Sequence, residues 1–199
     1  HTLTLTDIHT AWTENQAVMG KSQAFVVEAL EQIRKRLPFE LRGVDSDNGS
    51  EFINHHLHAY CQLQGIEFTR GRPYKKDDNA HVEQKNWTHV RRLMGYLRYD
   101  SPRALATMND VYGSELRSLQ NLFLPSVKLM SKTRVGSRLR RRYDLPRTPL
   151  DRLLACSGPK HPRLATLRGL RDRLDPFKVS ATVDRKLRTI HALSNVRHN

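Results

Sequence analysis

The stretch Phe39-Glu40-Leu41-Arg42-Gly43-Val44-Asp45-Ser46-Asp47-Asn48-Gly49-Ser50-Glu51-Phe52 decides how the rest of the chain is read. Residues 39–46 have the composition of a strand, and Asp47-Asn48-Gly49-Ser50 is built from residues that tolerate tight backbone geometry. Glu51 to Gln64 suits a helix. Asp47 therefore ends a strand at a sharp turn, where open α/β sheets place their sites. Asp45, two residues earlier, shares the strand face of Asp47 and is a spare carboxylate; Asn48 reads as a turn residue.

Upstream, LTLTDI (3–8) alternates as a strand does, and residues 9–20 read as a turn leading into a second short strand. The spacing of Val26, Leu30, Ile33 and Leu37 predicts a helix from about Ser22 to Arg36, ended by Pro38. Downstream, residues 66–70 form a short strand. Residues 71–80 are loop-like, with Arg70 at the edge and Arg72, Lys75 and Lys76 inside. A helix is expected from about Asn79 to Leu97, with Val82, Val90, Leu93 and Leu97 on one side. Strands alternating with helices imply a layered α/β domain over residues 1–100.

Past Asp100-Ser101-Pro102 the character changes, and no further strand is expected in 101–199. Residues 103–124 read as a helix, and 128–147 as a basic, strand-poor stretch with Arg138, Arg140, Arg141 and Arg142. Two or three short helices follow. The last has Asp175 as N-cap, Pro176 in first position and Val183, Leu187 and Ile190 in register, packed on the core or on another subunit.

Charge separates the two halves. Residues 1–100 hold 13 basic and 13 acidic residues, whereas 101–199 hold 21 and 7, the whole of the +14 net charge. Such an excess favours a polyanionic partner, because each neutralised phosphate releases counterions. With 38% hydrophobic residues and no long apolar run, the chain reads as soluble, with no membrane association. Cys61 and Cys156 stand alone, which fits a reducing cytosol, and His55, His56 and His58 lack zinc-site spacing. The start at His1, without Met, reads as a fragment whose N-terminal part is missing.

The chemistry rests on two carboxylates. Glu83 follows Asp47 with 35 residues between them, early on the helix after the basic loop. Paired carboxylates in a DNA-facing domain suit hard Mg²⁺ or Mn²⁺, and a two-metal site holds both the attacking and leaving oxygens of a displacement at phosphorus. No Ser, Cys or His nucleophile is then required. Lys85, Arg91 and Arg92 either grip phosphates or are solvated helix charges. Trp87 reads as packing rather than base stacking, and Arg140, Arg141 and Arg142, with Arg138, as DNA backbone contacts.

Ser46-Asp47-Asn48-Gly49-Ser50-Glu51-Phe52, followed at this interval by Glu83, resembles the core of the retroviral integrase superfamily. FTRGRPYKKDDNAHVEQKNWTHVRR (68–92) and RVGSRLRRRYDLPRTPL (134–150) resemble in particular bacterial insertion-sequence transposases. The resemblance implies an RNase H-like integrase catalytic core lacking its first strand, then a basic, mainly helical DNA-binding and assembly region at 101–199. It implies a D, D-35-E polynucleotidyl transferase with Asp47 and Glu83 as second and third carboxylates on Mg²⁺ or Mn²⁺. Element ends and target DNA are the implied partners, in a homo-oligomer without a small-molecule substrate, cytoplasmic and nucleoid-associated. The first Asp of the pattern is expected upstream of His1. Asp7, with 39 residues between it and Asp47, is the one early alternative, and otherwise a turn residue. Two other readings stay open: a nuclease of the RNase H type, and an inactive remnant that only binds DNA.

Overall fold

The computed structural model describes residues 1–46, 55–71, 84–157 and 162–195. Strand β1 (Thr2–Thr6) pairs antiparallel with β2 (Thr13–Ala17), from Thr2 opposite Ala17 to Thr6 opposite Thr13. The Asp7 carboxylate ties their connection, accepting from the Thr10 N–H at 2.7 Å and the Thr10 hydroxyl at 2.5 Å. Helix α1 (Gln23–Arg36) follows as the spacing predicts, with Val26, Leu30, Ile33 and Leu37 buried.

Strand β3 (Gly43–Ser46) is shorter than the expected 39–46, because its parallel partner β4 (Glu67–Arg70) offers a ladder to four residues only. Phe39 and Leu41 instead turn their side chains into apolar clusters. Helix α2 (His55–Leu63) covers the described part of the helix expected from Glu51.

The helix after Glu83 departs from its expected register. A π-helical turn (Trp87–Arg91) runs into the short helix α3 (Arg92–Met94), which stops at Gly95 with φ +67°. The wide turn aligns residues five apart, so His89 and Met94 are buried and Leu97 lies 46% exposed beyond the end.

Helix α4 (Pro102–Gly113) is capped by the Ser101 hydroxyl, which accepts from Ala104 N–H at 3.1 Å. The single helix expected over 103–124 is broken at Ser114 (φ −119°, ψ −98°), then resumes as α5 (Glu115–Ser118) and a π turn (Leu119–Phe123). The expectation of no strand beyond residue 100 is wrong. Strands β5 (Leu129–Val135) and β6 (Arg138–Tyr143) form an antiparallel hairpin across Gly136-Ser137. Gly136 has φ +61°, at the first turn position where a II′ hairpin takes glycine. Helices α6 (Pro149–Ser157), α7 (Pro162–Arg173) and α8 (Pro176–Ala192) close the chain. Asp175 caps α8 as expected, accepting from Phe177 and Lys178 N–H.

Three apolar clusters hold these elements. Val26, Leu30, Leu57, Cys61 and Ile66 join α1, α2 and the start of β4, with Leu3, Leu5, Leu41 and Val44 against them. Trp12, Ile33 and Leu37 meet Leu122, Leu150, Leu153, Leu164 and Leu167. Ala17 and Met94 meet Met108, Val111, Tyr112 and α8, so α8 packs on its own chain through Val183, Leu187 and Ile190. Fully burying one such aliphatic side chain contributes roughly 1.5–3 kcal/mol. Beneath β2 the fully buried Glu14 carboxylate binds Arg117 at 2.7 Å and the Trp12 indole N–H at 2.9 Å, with Arg36 at 3.5 Å. Leu3 and Leu5 of β1 share a cluster with Val44 of β3, yet among the described residues the two strand pairs form separate two-stranded sheets. No described helix is long and apolar enough to cross a membrane.

Candidate active site and nucleic-acid interface

Asp47, Glu83, Arg72, Lys75 and Lys76 lie outside the described residues, as do Asn48, Asp77 and Asp78. What frames Asp47 and Glu83 is described. Strands β3 and β4 run parallel, so Ser46 and Arg70 are partners at their C-terminal ends, and the Gly71 N–H donates to the Ser46 carbonyl at 2.8 Å. The segment that opens with Asp47 and the one that leads to Glu83 thus depart from adjacent strand ends. Asp45 lies exposed on β3, where its carboxylate accepts from the Thr69 hydroxyl at 2.9 Å.

The chain after Glu83 returns along β1 and α1. Asn86, Val90 and Arg91 line a cleft with Thr2, Leu3 and Val26. Arg91 and Arg92 are exposed, and the Arg91 guanidinium lies 5.6 Å from the centre of the Tyr96 ring. Burial, reinforced by the Arg152 charge, holds the Lys85 ammonium below its ordinary range. Burial and then the Lys85 charge push His89 down to about 4. Trp87, expected as packing, is 54% exposed: the π turn directs His89 inward and leaves the indole in solvent. Among the described residues no three His, Cys, Asp or Glu side chains come together as a metal site. His58, on α2, meets the Phe68 ring edge-on, with the ring centres 6.5 Å apart.

Arg138, Arg140, Arg141 and Arg142 are all exposed on β6. Alternation puts Arg138, Arg140 and Arg142 on one face, opposite Val135, Thr133 and Ser131; Arg141 faces the other way, opposite Lys132. The base of this hairpin is tightly fastened. Asp144 accepts from the Arg152 guanidinium at 2.5 Å and from Lys128 N–H at 2.6 Å. Arg152 also donates to the Ser126 carbonyl at 2.7 Å, and Ser126 and Arg147 form a backbone bridge. The Arg152 hydrogen bond draws Asp144 down to about 2.

No family model matches the chain. Among curated proteins, an uncharacterized protein, y4rM, of Sinorhizobium fredii (strain NBRC 101917 / NGR234) is 46% identical over 151 residues. The match covers 76% of this chain and 43% of that protein, so the chain spans less than half the length of its relative. Among solved structures, the crystal structure of the catalytic core domain of BIV integrase is similar at 19% identity and a TM-score of 0.49. That likeness covers 77% of this chain and 85% of the other.

Lys132 and Arg134, not among the candidate residues above, join the arginines only once β5 pairs with β6. A signal was present. Val135-Gly136-Ser137-Arg138 is a two-residue hairpin connection, with Gly-Ser between segments of strand-like composition.

Proposed function

We propose that the chain is part of a DDE-type DNA transposase or integrase that cleaves DNA and joins its strands by phosphoryl transfer. Residues 1–100 are the catalytic-core part, RNase H-like, and 101–199 the basic DNA-binding and assembly part. Asp47 and Glu83 are the second and third carboxylates, which hold Mg²⁺ or Mn²⁺. The observation that carries this reading is a conjunction. The Ser46-to-Phe52 motif begins at the last residue of β3, and the segment leading to Glu83, which follows Asp47 with 35 residues between them, begins just past the end of the parallel neighbour β4, where the Gly71 N–H bonds the Ser46 carbonyl.

The metal ions, when bound, supply activation of the attacking oxygen and neutralisation of charge at phosphorus. The chain's own groups position the DNA. Lys85, Arg91, Arg92, Arg72, Lys75 and Lys76 attract phosphates around the two carboxylates, and the exposed Trp87 offers an aromatic face beside them. The first carboxylate of the triad lies on a strand preceding His1. Two findings support this: the Asp7 carboxylate is engaged by Thr10 within the β1–β2 turn, and β1 and β3 share a cluster without pairing.

The test uses the longer protein, upstream sequence included, on labelled element-end DNA with Mg²⁺ or Mn²⁺. Cleaved and joined products are expected. Asp47→Asn and Glu83→Gln each abolish both while leaving DNA binding within about twofold, since the carboxylates are not the phosphate-gripping groups. Activity retained in both variants sinks the assignment, and cleavage without any joining points instead to a nuclease.

A further inference from the structure

We propose that the β5–β6 hairpin is an arm that enters the major groove of duplex DNA, turning Arg138, Arg140 and Arg142 toward the base edges. The proposal rests on the reading that the protein works on DNA, and adds the form of DNA and the element that grips it.

Every residue of β5 and β6 is exposed, so the ribbon stands clear of the body on both faces. A two-stranded ribbon that buries nothing is marginal by itself. Among the described residues this one is fastened at its base, through Asp144, Arg152, Lys128 and Ser126. Residues 129–143 carry Lys132, Arg134, Arg138, Arg140, Arg141 and Arg142 and no carboxylate. Lys132 stands directly opposite Arg141, an unfavourable pairing of like charges. The anion that relieves it has to come from outside the ribbon, since the strands contain none.

Dimensions favour the duplex. Strands of seven and six residues extend about 20 Å at roughly 3.3 Å per residue, and lie about 4.8 Å apart. The major groove of B-DNA, about 12 Å wide, admits a two-stranded ribbon. One face then presents three arginines alternating with nothing bulkier across the ladder than Ser131, Thr133 and Val135, so the guanidiniums reach acceptors on guanine. Lys132, Arg134 and Arg141, on the other face, extend toward the flanking phosphates. A second copy of the hairpin is a poor occupant, because edge-to-edge pairing sets six cations against six more. The major groove of A-form RNA is too deep and narrow for the ribbon.

The test is binding of the full chain to a labelled duplex of about 30 base pairs, read by fluorescence anisotropy across salt and by dimethyl sulfate attack at guanine N7. The wild-type protein is expected to protect N7 positions. The variant with Arg138→Ala, Arg140→Ala and Arg142→Ala is expected to lose that protection, bind at least about tenfold more weakly and show a shallower salt dependence. Arg140→Glu is the second variant, with the same direction expected; both should melt within about 3 °C of wild type, because the side chains are exposed. Binding within about twofold of wild type in either folded variant, N7 positions reactive throughout in the complex, or equal affinity for an RNA duplex overturns the arm. Since the readout is binding, N7 protection without metal-dependent cleavage spares the arm and sinks the catalytic reading, whereas cleavage without N7 protection does the reverse.

Discussion

Gly71 donates its backbone N–H to the Ser46 carbonyl at 2.8 Å, one step beyond the last paired residues of β3 and β4. Asp47 is the next residue after Ser46, and the segment to Glu83 begins just after Gly71. A parallel pair cannot be closed by a tight turn, so its strand ends point the same way and bring sequence-distant segments to one edge. The proposed chemistry draws on that property of the pairing.

The Glu14 cluster yields a stability prediction. Its fully buried carboxylate faces Arg117 at 2.7 Å and Arg36 at 3.5 Å. Removing one partner of a buried ion pair costs about 3–5 kcal/mol, because the remaining charge is left uncompensated. Glu14→Gln should therefore lower the melting temperature by about 6–20 °C for a chain of this size. A melt within about 2 °C of wild type would show that water, not Glu14, balances the two guanidiniums.

His89 makes stability fall on the acid side. Its imidazole stays neutral in the folded protein down to about 4, while in the unfolded chain it takes a proton near 6.5. Between those values the unfolded state binds more protons, so stability is full above pH 6.5 and declines as the pH drops through the window. Urea unfolding at pH 7 and pH 5 should differ by roughly 2 kcal/mol on this account. His89→Gln should flatten the difference; an unchanged slope in that variant assigns it to other groups.

Asp144 titrates in the opposite sense. Its folded value of about 2, set first by the Arg152 hydrogen bond, lies below the ordinary 3.8. The pair thus stabilises the hairpin base fully above pH 3.8, and loses that effect as the pH falls through about 2. The Lys128 amide, which donates to Asp144 at 2.6 Å, reports this directly by NMR. Its proton shift should titrate with a midpoint near 2; a midpoint near 4 would mean that the clamp is open in solution.

Elements with one strongly periodic face were readable from residues alone. Val26, Leu30, Ile33 and Leu37 foretold α1, and Asp175-Pro176 with Val183, Leu187 and Ile190 foretold α8, because capping and 3.6-residue spacing are local properties. The hairpin carries little local signal for a physical reason. Neither face of β5 or β6 is buried, so no alternation of apolar and polar residues marks it, and Gly136-Ser137 was its only local sign. Apolar spacing predicts a 3.6-residue register for the helix after Glu83, and the π turn at Trp87–Arg91 shifts the inward positions to His89 and Met94. A single wide turn leaves no trace in hydrophobic spacing.

By itself the sequence determined the kind of chemistry to look for, through Asp47, Glu83 and the motif around them, and placed the excess positive charge in residues 101–199. It also determined where α1 and α8 lie, since helices follow from interactions three and four residues apart. Only the tertiary structure decided which separate pieces meet: Ser46 with Gly71, and Glu14 with Arg36 and Arg117. The Ser46–Gly71 and Glu14 contacts join residues from about 20 to about 100 positions apart and are set by how packed elements exclude water, which no short window of residues encodes, whereas the Lys132–Arg141 register follows from the two-residue turn at Gly136-Ser137.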